Sequence, residues 1–168
     1  PKRGGFLPPV PLPRRMWAGS DLRYEAPMPL GENVTRTASI KSVATKEGRS
    51  GLLAFVTVAN VYACGGKVAL IEEQDLVYRD NPPKDAPAPA PRPAPENPEW
   101  SVEVHPDEAQ LFRFSAVTLN AHRIHYDHPY VTQEEGYPGL IVHGQLIATF
   151  LLEAWQKANP SATLRSFS

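Results

Sequence analysis

With 168 residues, 42% of them hydrophobic, and a net charge of -1, the chain is long enough to bury a core. That charge gives no electrostatic case for nucleic acid or an anionic membrane as the main partner. Its single cysteine, Cys64, excludes an intramolecular disulfide and a cysteine-built zinc cage, and it fits a reducing compartment. The longest apolar run, Leu140 to Leu152, is interrupted by His143, Gln145 and Thr149 and falls short of the ~18 to 20 residues that span a bilayer, so no membrane partner is expected.

In chain order, "SDLRYEA", "NVTRTASIKSVATK", "LLAFVTVANVYA" and "KVALIEEQDLVYR" are rich in β-branched and aromatic residues. They are separated by "PLGE", "EGRSG" and "CGG", each holding the glycine that a reversal with positive φ needs. In the third segment Leu53, Phe55, Thr57, Ala59 and Val61 share one face while Val56, Val58 and Tyr62 share the other, which predicts a long-stranded antiparallel meander with one face more apolar than the other. Residues 84–98, "KDAPAPAPRPAPENP", read as a linker: alternating prolines hold a polyproline path of about 3.1 Å per residue, or roughly 45 Å in all. No strict PxxP pattern with a fixed basic anchor argues for a docking ligand instead.

Downstream, "LFRFSAV" reads as a strand, followed by a polar loop and then "GLIVHGQLIATFLLEAWQKANP". There Ile147, Leu151, Ala154, Trp155 and Ala158 follow helical spacing, and Val142, Leu146, Phe150 and Leu152 widen the stripe until the first turns are apolar nearly all round, as in a helix wrapped by a sheet. Asn159 and Pro160 end it. Long antiparallel strands with one buried helix predict an α+β hot-dog fold. The order of elements suggests part of a double hot dog: residues 1–83 the sheet portion of a first unit, and 99–168 the first strand, catalytic loop and central helix of a second. Beginning at Pro1 and stopping at "LRSFS", which opens like a strand, the chain reads as a fragment or processed product that lacks both ends.

Four of the five histidines fall within Asn120–Gly144. A loop carrying His125 and Asp127 that leads into a helix starting near Gly144 sets an imidazole beside helix amides with no intrahelical acceptor, and such amides suit a developing enolate oxygen. An imidazole of ordinary basicity can take a proton from water and return one at neutral pH. Base plus oxyanion donor is the minimum for adding water across an α,β-unsaturated thioester.

"NAHRIHYD" followed by "GYPGLIVHG" resembles the hydratase motif of MaoC-like, or type 2, enoyl-CoA hydratases. "LPRRMWAGSDLRYEAPMPLGENVTR" and "EGRSGLLAFVTV" with "EEQDLVYR" are similar to the branch containing mesaconyl-CoA (3-methylfumaryl-CoA) hydratases and type 2 hydroxyacyl-thioester dehydratases. The resemblance implies a cytoplasmic hydro-lyase without a cofactor, on which CoA or an acyl carrier serves only as the substrate's thioester handle. It also implies an acyl-CoA of the mesaconyl type as substrate, and a second copy or a complementary hot-dog chain as partner. The family histidine falls on His125, the amide donor on Gly144 and the family aspartate on Asn120, an amide that orients water but cannot take its proton. His125 is therefore expected to be the main base, with Asp127 as orienting partner or stand-in carboxylate. His122, standing where the family has an asparagine, would contact water or substrate. An unbranched 3-hydroxyacyl thioester, a thioesterase reaction and a non-catalytic acyl-thioester-binding subunit are the alternatives, the thioesterase being disfavoured by the "IHYD" and "IVHG" pairing.

Other roles stay open at this level. His143 reads as structural, its ring on a backbone carbonyl, or as a substrate contact. Arg123 would hold a substrate carboxylate or CoA phosphate, or brace the loop against Asp127 or Glu134. Trp17, beside Arg14 and Arg15, would stack on adenine or anchor the core. His122, His125, His128 and Asp127 lack the HExxH pattern or helical spacing of a specific metal site, and none is expected. His105 and His128 read as solvated, and Cys64 lacks the basic neighbours of a nucleophile.

Overall fold

The computed structural model describes residues 5–48, 51–81, 93 and 96–168. The chain divides into two compact units, Pro1–Pro91 with Thr163–Ser168, and Arg92–Ala162. The division falls inside the proline-rich stretch; most of the expected linker, 84–92 and 94–95, lies outside the described residues.

The first unit is a five-stranded antiparallel sheet built from β1 (Arg14–Tyr24), β2 (Val34–Gly48), β3 (Gly51–Cys64), β4 (Lys67–Arg79) and β5 (Ser166–Phe167), in the order β2-β3-β4-β1-β5. β1 starts six residues before the expected "SDLRYEA" because Arg14–Trp17 continue the ladder against Leu76–Arg79. The β3–β4 reversal turns on Gly65 and Gly66, at φ 54° and 78°, a two-residue turn whose positive dihedrals only glycine adopts without strain. Of the two faces of β3, the one carrying Ala54, Val56, Val58 and Asn60 is buried, and it packs with Leu76 and Tyr78 of β4 and with Leu7, Val10 and Leu12. "LRSFS" supplies β5, paired with Leu22 and Arg23, so the strand expected there forms.

The second unit is helical, with α1 (Glu108–Val117), a single 3-10 turn at Arg123–His125, α2 (His128–Gln133) and α3 (Gly144–Ala158). The strand expected at "LFRFSAV" is corrected to a helix: Asp107 accepts the Gln110 amide at 2.7 Å and caps it, and Leu111 and Ser115, four apart, are its buried positions. α3 ends as expected, with Asn159 at its C-cap. Leu146 and Ala154 of α3 are buried, but Ile147 and Leu151 are each about half exposed and border an apolar groove of about 460 Å³ with Trp100, Val102, Val104 and Phe150. No helix among the described residues is long and apolar enough to cross a membrane.

Candidate active site

The histidine segment is held by short-range backbone logic. α1 runs into Leu119 at φ 54°, and the reversal lets the Asn120 amide bond the Ser115 carbonyl at 2.9 Å. Asn120 Oδ1 then accepts the His122 amide at 3.1 Å, so its carbonyl is already engaged by the loop. The Ile141 amide donates to the Ile124 carbonyl at 2.9 Å, and His125 Nδ1 contacts the Ile141 carbonyl at 2.7 Å. These two bonds tie the 3-10 turn to the segment that enters α3.

Because a carbonyl only accepts, Nδ1 carries the proton and the neutral ring presents Nε2 as a lone pair. His125 is 7% exposed, and Nε2 makes no hydrogen bond among the described residues. Burial pushes the imidazole below its ordinary value and His122 adds to that, while the Ile141 contact works the other way. The His125 ring is thus mostly neutral at neutral pH.

His143, the N-cap residue of α3, lies under this ring. It is fully buried, stacked on His125 with centroids 3.7 Å apart and planes 17° from parallel, and met edge-on by Phe114 at 4.8 Å. Its Nε2 shares a hydrogen bond with Ser115 Oγ at 2.8 Å, in place of the expected backbone carbonyl. Its pKa falls to about 4, chiefly by burial and then by His125. Gly144 follows as the first residue of α3, its amide among those to which the helix offers no acceptor. His125 therefore stacks on the residue preceding the candidate oxyanion donor.

The orienting partner of His125 is the Ile141 carbonyl, which corrects the expectation placed on Asp127. Asp127 accepts the Tyr130 amide at 3.1 Å as the α2 cap and takes Arg123 Nε and Nη2 on Oδ2 at 2.9 and 2.7 Å. The Tyr130 amide first, and then the Arg123 pairing, hold its carboxyl below the usual range. Arg123 braces the loop, its guanidinium also 4.1 Å over the Tyr130 ring. His122 is exposed and meets His125 edge-on at 5.6 Å. His128 is exposed, and His105 is exposed beside Glu103. Trp17 belongs to the first unit, half-buried, its indole N–H donating to Ser20 Oγ at 3.0 Å; Ser20 in turn donates to Glu72. Among the described residues no three His, Cys, Asp or Glu side chains converge as metal ligands. Ser115 and the Ile141 carbonyl were missed from sequence. The aspartate cap at Asp107, which turns "LFRFSAV" into a helix, was the signal that would have found Ser115.

Residues 1–168 match the family described as hydroxyacyl-thioester dehydratase type 2, and the chain belongs to that family. It is 50% identical over 154 residues to the mesaconyl-C(4)-CoA hydratase of Chloroflexus aurantiacus, covering 91% of this chain and 55% of the relative. It is 27% identical over 173 residues to the mitochondrial hydroxyacyl-thioester dehydratase type 2 of Schizosaccharomyces pombe, covering 90% and 57%. The chain thus spans about half the length of these relatives. Among solved structures, a MaoC-like dehydratase from Phytophthora capsici superposes with a TM-score of 0.68 at 17% identity, over 96% of this chain and 59% of that one, which shows the hot-dog fold.

Proposed function

We propose that this chain carries the water-activating machinery of a cofactor-independent acyl-thioester hydratase, acting reversibly on an α,β-unsaturated CoA thioester with a mesaconyl-type, branched dicarboxylic acyl group. The observation that carries it is the locked His125 tautomer beside the start of α3. In the hydration direction Nε2 takes a proton from water as the oxygen bonds to the β-carbon. The π electrons move onto the thioester oxygen, which the Gly144 amide stabilises. The enolate collapses as Nε2–H returns a proton to the α-carbon, and dehydration is the reverse. Removing one oxyanion donor typically costs about 3 to 4 kcal/mol in such a barrier. Asn120, fixed by the His122 amide, orients water or substrate without moving a proton.

The Chloroflexus relative supports the acyl group, and the family description supports the dehydration direction on a hydroxyacyl thioester as a second reading. In this reading residues 84–98 join the sheet of one hot-dog unit to the loop and central helix of another, the half-exposed face of α3 is covered by a second copy or a complementary chain, and the CoA substrate goes with a cytoplasmic location.

The test is a mass-resolved assay with mesaconyl-CoA, crotonyl-CoA and a medium-chain enoyl-CoA. Water gain on mesaconyl-CoA, reduced about 10²- to 10⁴-fold in His125→Ala, is expected. Equal gain in wild type and variant removes His125 as the base, and no gain on any thioester favours a binding subunit.

A further inference from the structure

The reaction proposed above uses one imidazole and one amide, yet the most deeply buried polar ring in the second unit is neither. His143 has no solvent exposure, stacks on His125 at 3.7 Å and bonds Ser115 Oγ through Nε2, while its Nδ1 is buried without a hydrogen-bond partner among the described residues. Keeping an unsatisfied buried nitrogen is unfavourable, so an apolar ring of similar shape would fill the space with less penalty. A helix N-cap also favours a short oxygen-bearing side chain, and His143 makes no capping bond with its ring. Neither packing nor capping accounts for a histidine here.

We infer that His143 is a positioning residue for His125: held by Ser115 and backed by Phe114, its flat uncharged ring fixes the plane of the base and seals that face from water. The inference rests on the hydratase reading for its kinetic consequence but not for its geometry. His125 is then held on two sides, by the Ile141 carbonyl in the ring plane and by His143 against the ring face, and Nε2 is the atom left for reaction. The two rings cannot both take a proton at this separation, so His143 must stay neutral for His125 to accept one. Its depressed pKa agrees with that. The groups facing the pair are few. α1 brings the uncharged Phe114 and Ser115, α3 begins with His143 itself, and the 3-10 turn adds His122, with the Arg123–Asp127 ion pair next to it.

The test compares His143→Gln, His143→Phe and Ser115→Ala in the intact protein, following His125 by imidazole ¹⁵N NMR through a pH titration and, in parallel, kcat and KM against pH. His143→Gln removes the flat seal, so the His125 titration should rise toward the ordinary value of about 6.5. The acid limb of kcat/KM should move with it, while kcat falls about ten- to a hundredfold at little change in KM. His143→Phe keeps the flat seal but loses the Ser115 bond, so it should shift His125 less than Gln does and about as far as Ser115→Ala. Ser115→Ala should loosen the ring and shift His125 in the same direction as Gln, but less. Should His143→Gln fail to fold, His143→Phe and Ser115→Ala decide the matter, since each breaks the same bond and both should shift His125 from its wild-type titration in the same direction. The inference is overturned if His125 titrates alike in the wild type and every variant, or if His143→Phe shifts it as far as His143→Gln does. A titration that follows the expected order in a protein that hydrates no thioester would sustain the positioning role and reject the hydratase reading; turnover with an indifferent titration would do the opposite.

Discussion

Ile141 contributes only a carbonyl oxygen to His125, and that contact leaves the neutral ring one satisfied tautomer. Asp127, the residue whose chemistry is plainest in the sequence, is instead engaged by Arg123 and the first turn of α2. Asparagine can still accept the Tyr130 amide, so Asp127→Asn should keep kcat within a few-fold of wild type, whereas a carboxylate acting as the base would lose about 10²-fold or more. Steady-state rates on mesaconyl-CoA separate the two. His125 was singled out because an imidazole in a polar loop that leads into a helix opening near a glycine is a pattern of residue types. Its orienter was not, because every residue has a carbonyl and only the fold says which one points inward.

At the scale of elements, β3 and β4 were readable from alternation alone: Ala54, Val56 and Val58 bury one face, and Gly65–Gly66 permit the reversal. "LFRFSAV" misled because Phe112 and Phe114 alternate with polar neighbours as a strand would. The deciding signal lies upstream, where Asp107 caps Gln110 and Glu108 supplies negative charge to the first turn. Asp107→Ala should therefore destabilise α1 by about 1 kcal/mol, measured by urea unfolding. Since α1 carries Ser115 and Phe114 against His143, the same variant should also broaden the His143 ring resonances. A strand-like segment held only by packing would show no dependence on residue 107.

At the scale of the whole chain, the proline run reads as a linker because prolines at alternate positions cannot continue a ladder, whereas nothing in the sequence marks the return of Thr163–Ser168 to the first unit. The encirclement of α3 is an expectation from its all-round apolar turns, and the half-exposed Ile147 and Leu151 form a face that the second unit by itself leaves open. The second unit should also be acid-sensitive in a defined way. His143 has a pKa of about 4 when folded, against about 6.5 when unfolded, so below pH ~6.5 the unfolded chain binds the extra proton more readily. Its contribution is fully present above that pH, declines as pH falls toward 4 and is constant below; the difference is on the order of 3 kcal/mol. Unfolding followed by Trp100 and Trp155 fluorescence at pH 7 and pH 4 should show this loss, and His143→Phe should remove its share.

The carbonyl of Ile141 reaches further still. It leaves Nε2 as the one atom of His125 that can both take the proton from water and deliver it to carbon, so in the hydration proposed above oxygen and hydrogen arrive on the same face of the double bond. Run in heavy water, the reaction should give a single syn diastereomer, its relative configuration set by the direction in which one peptide group points.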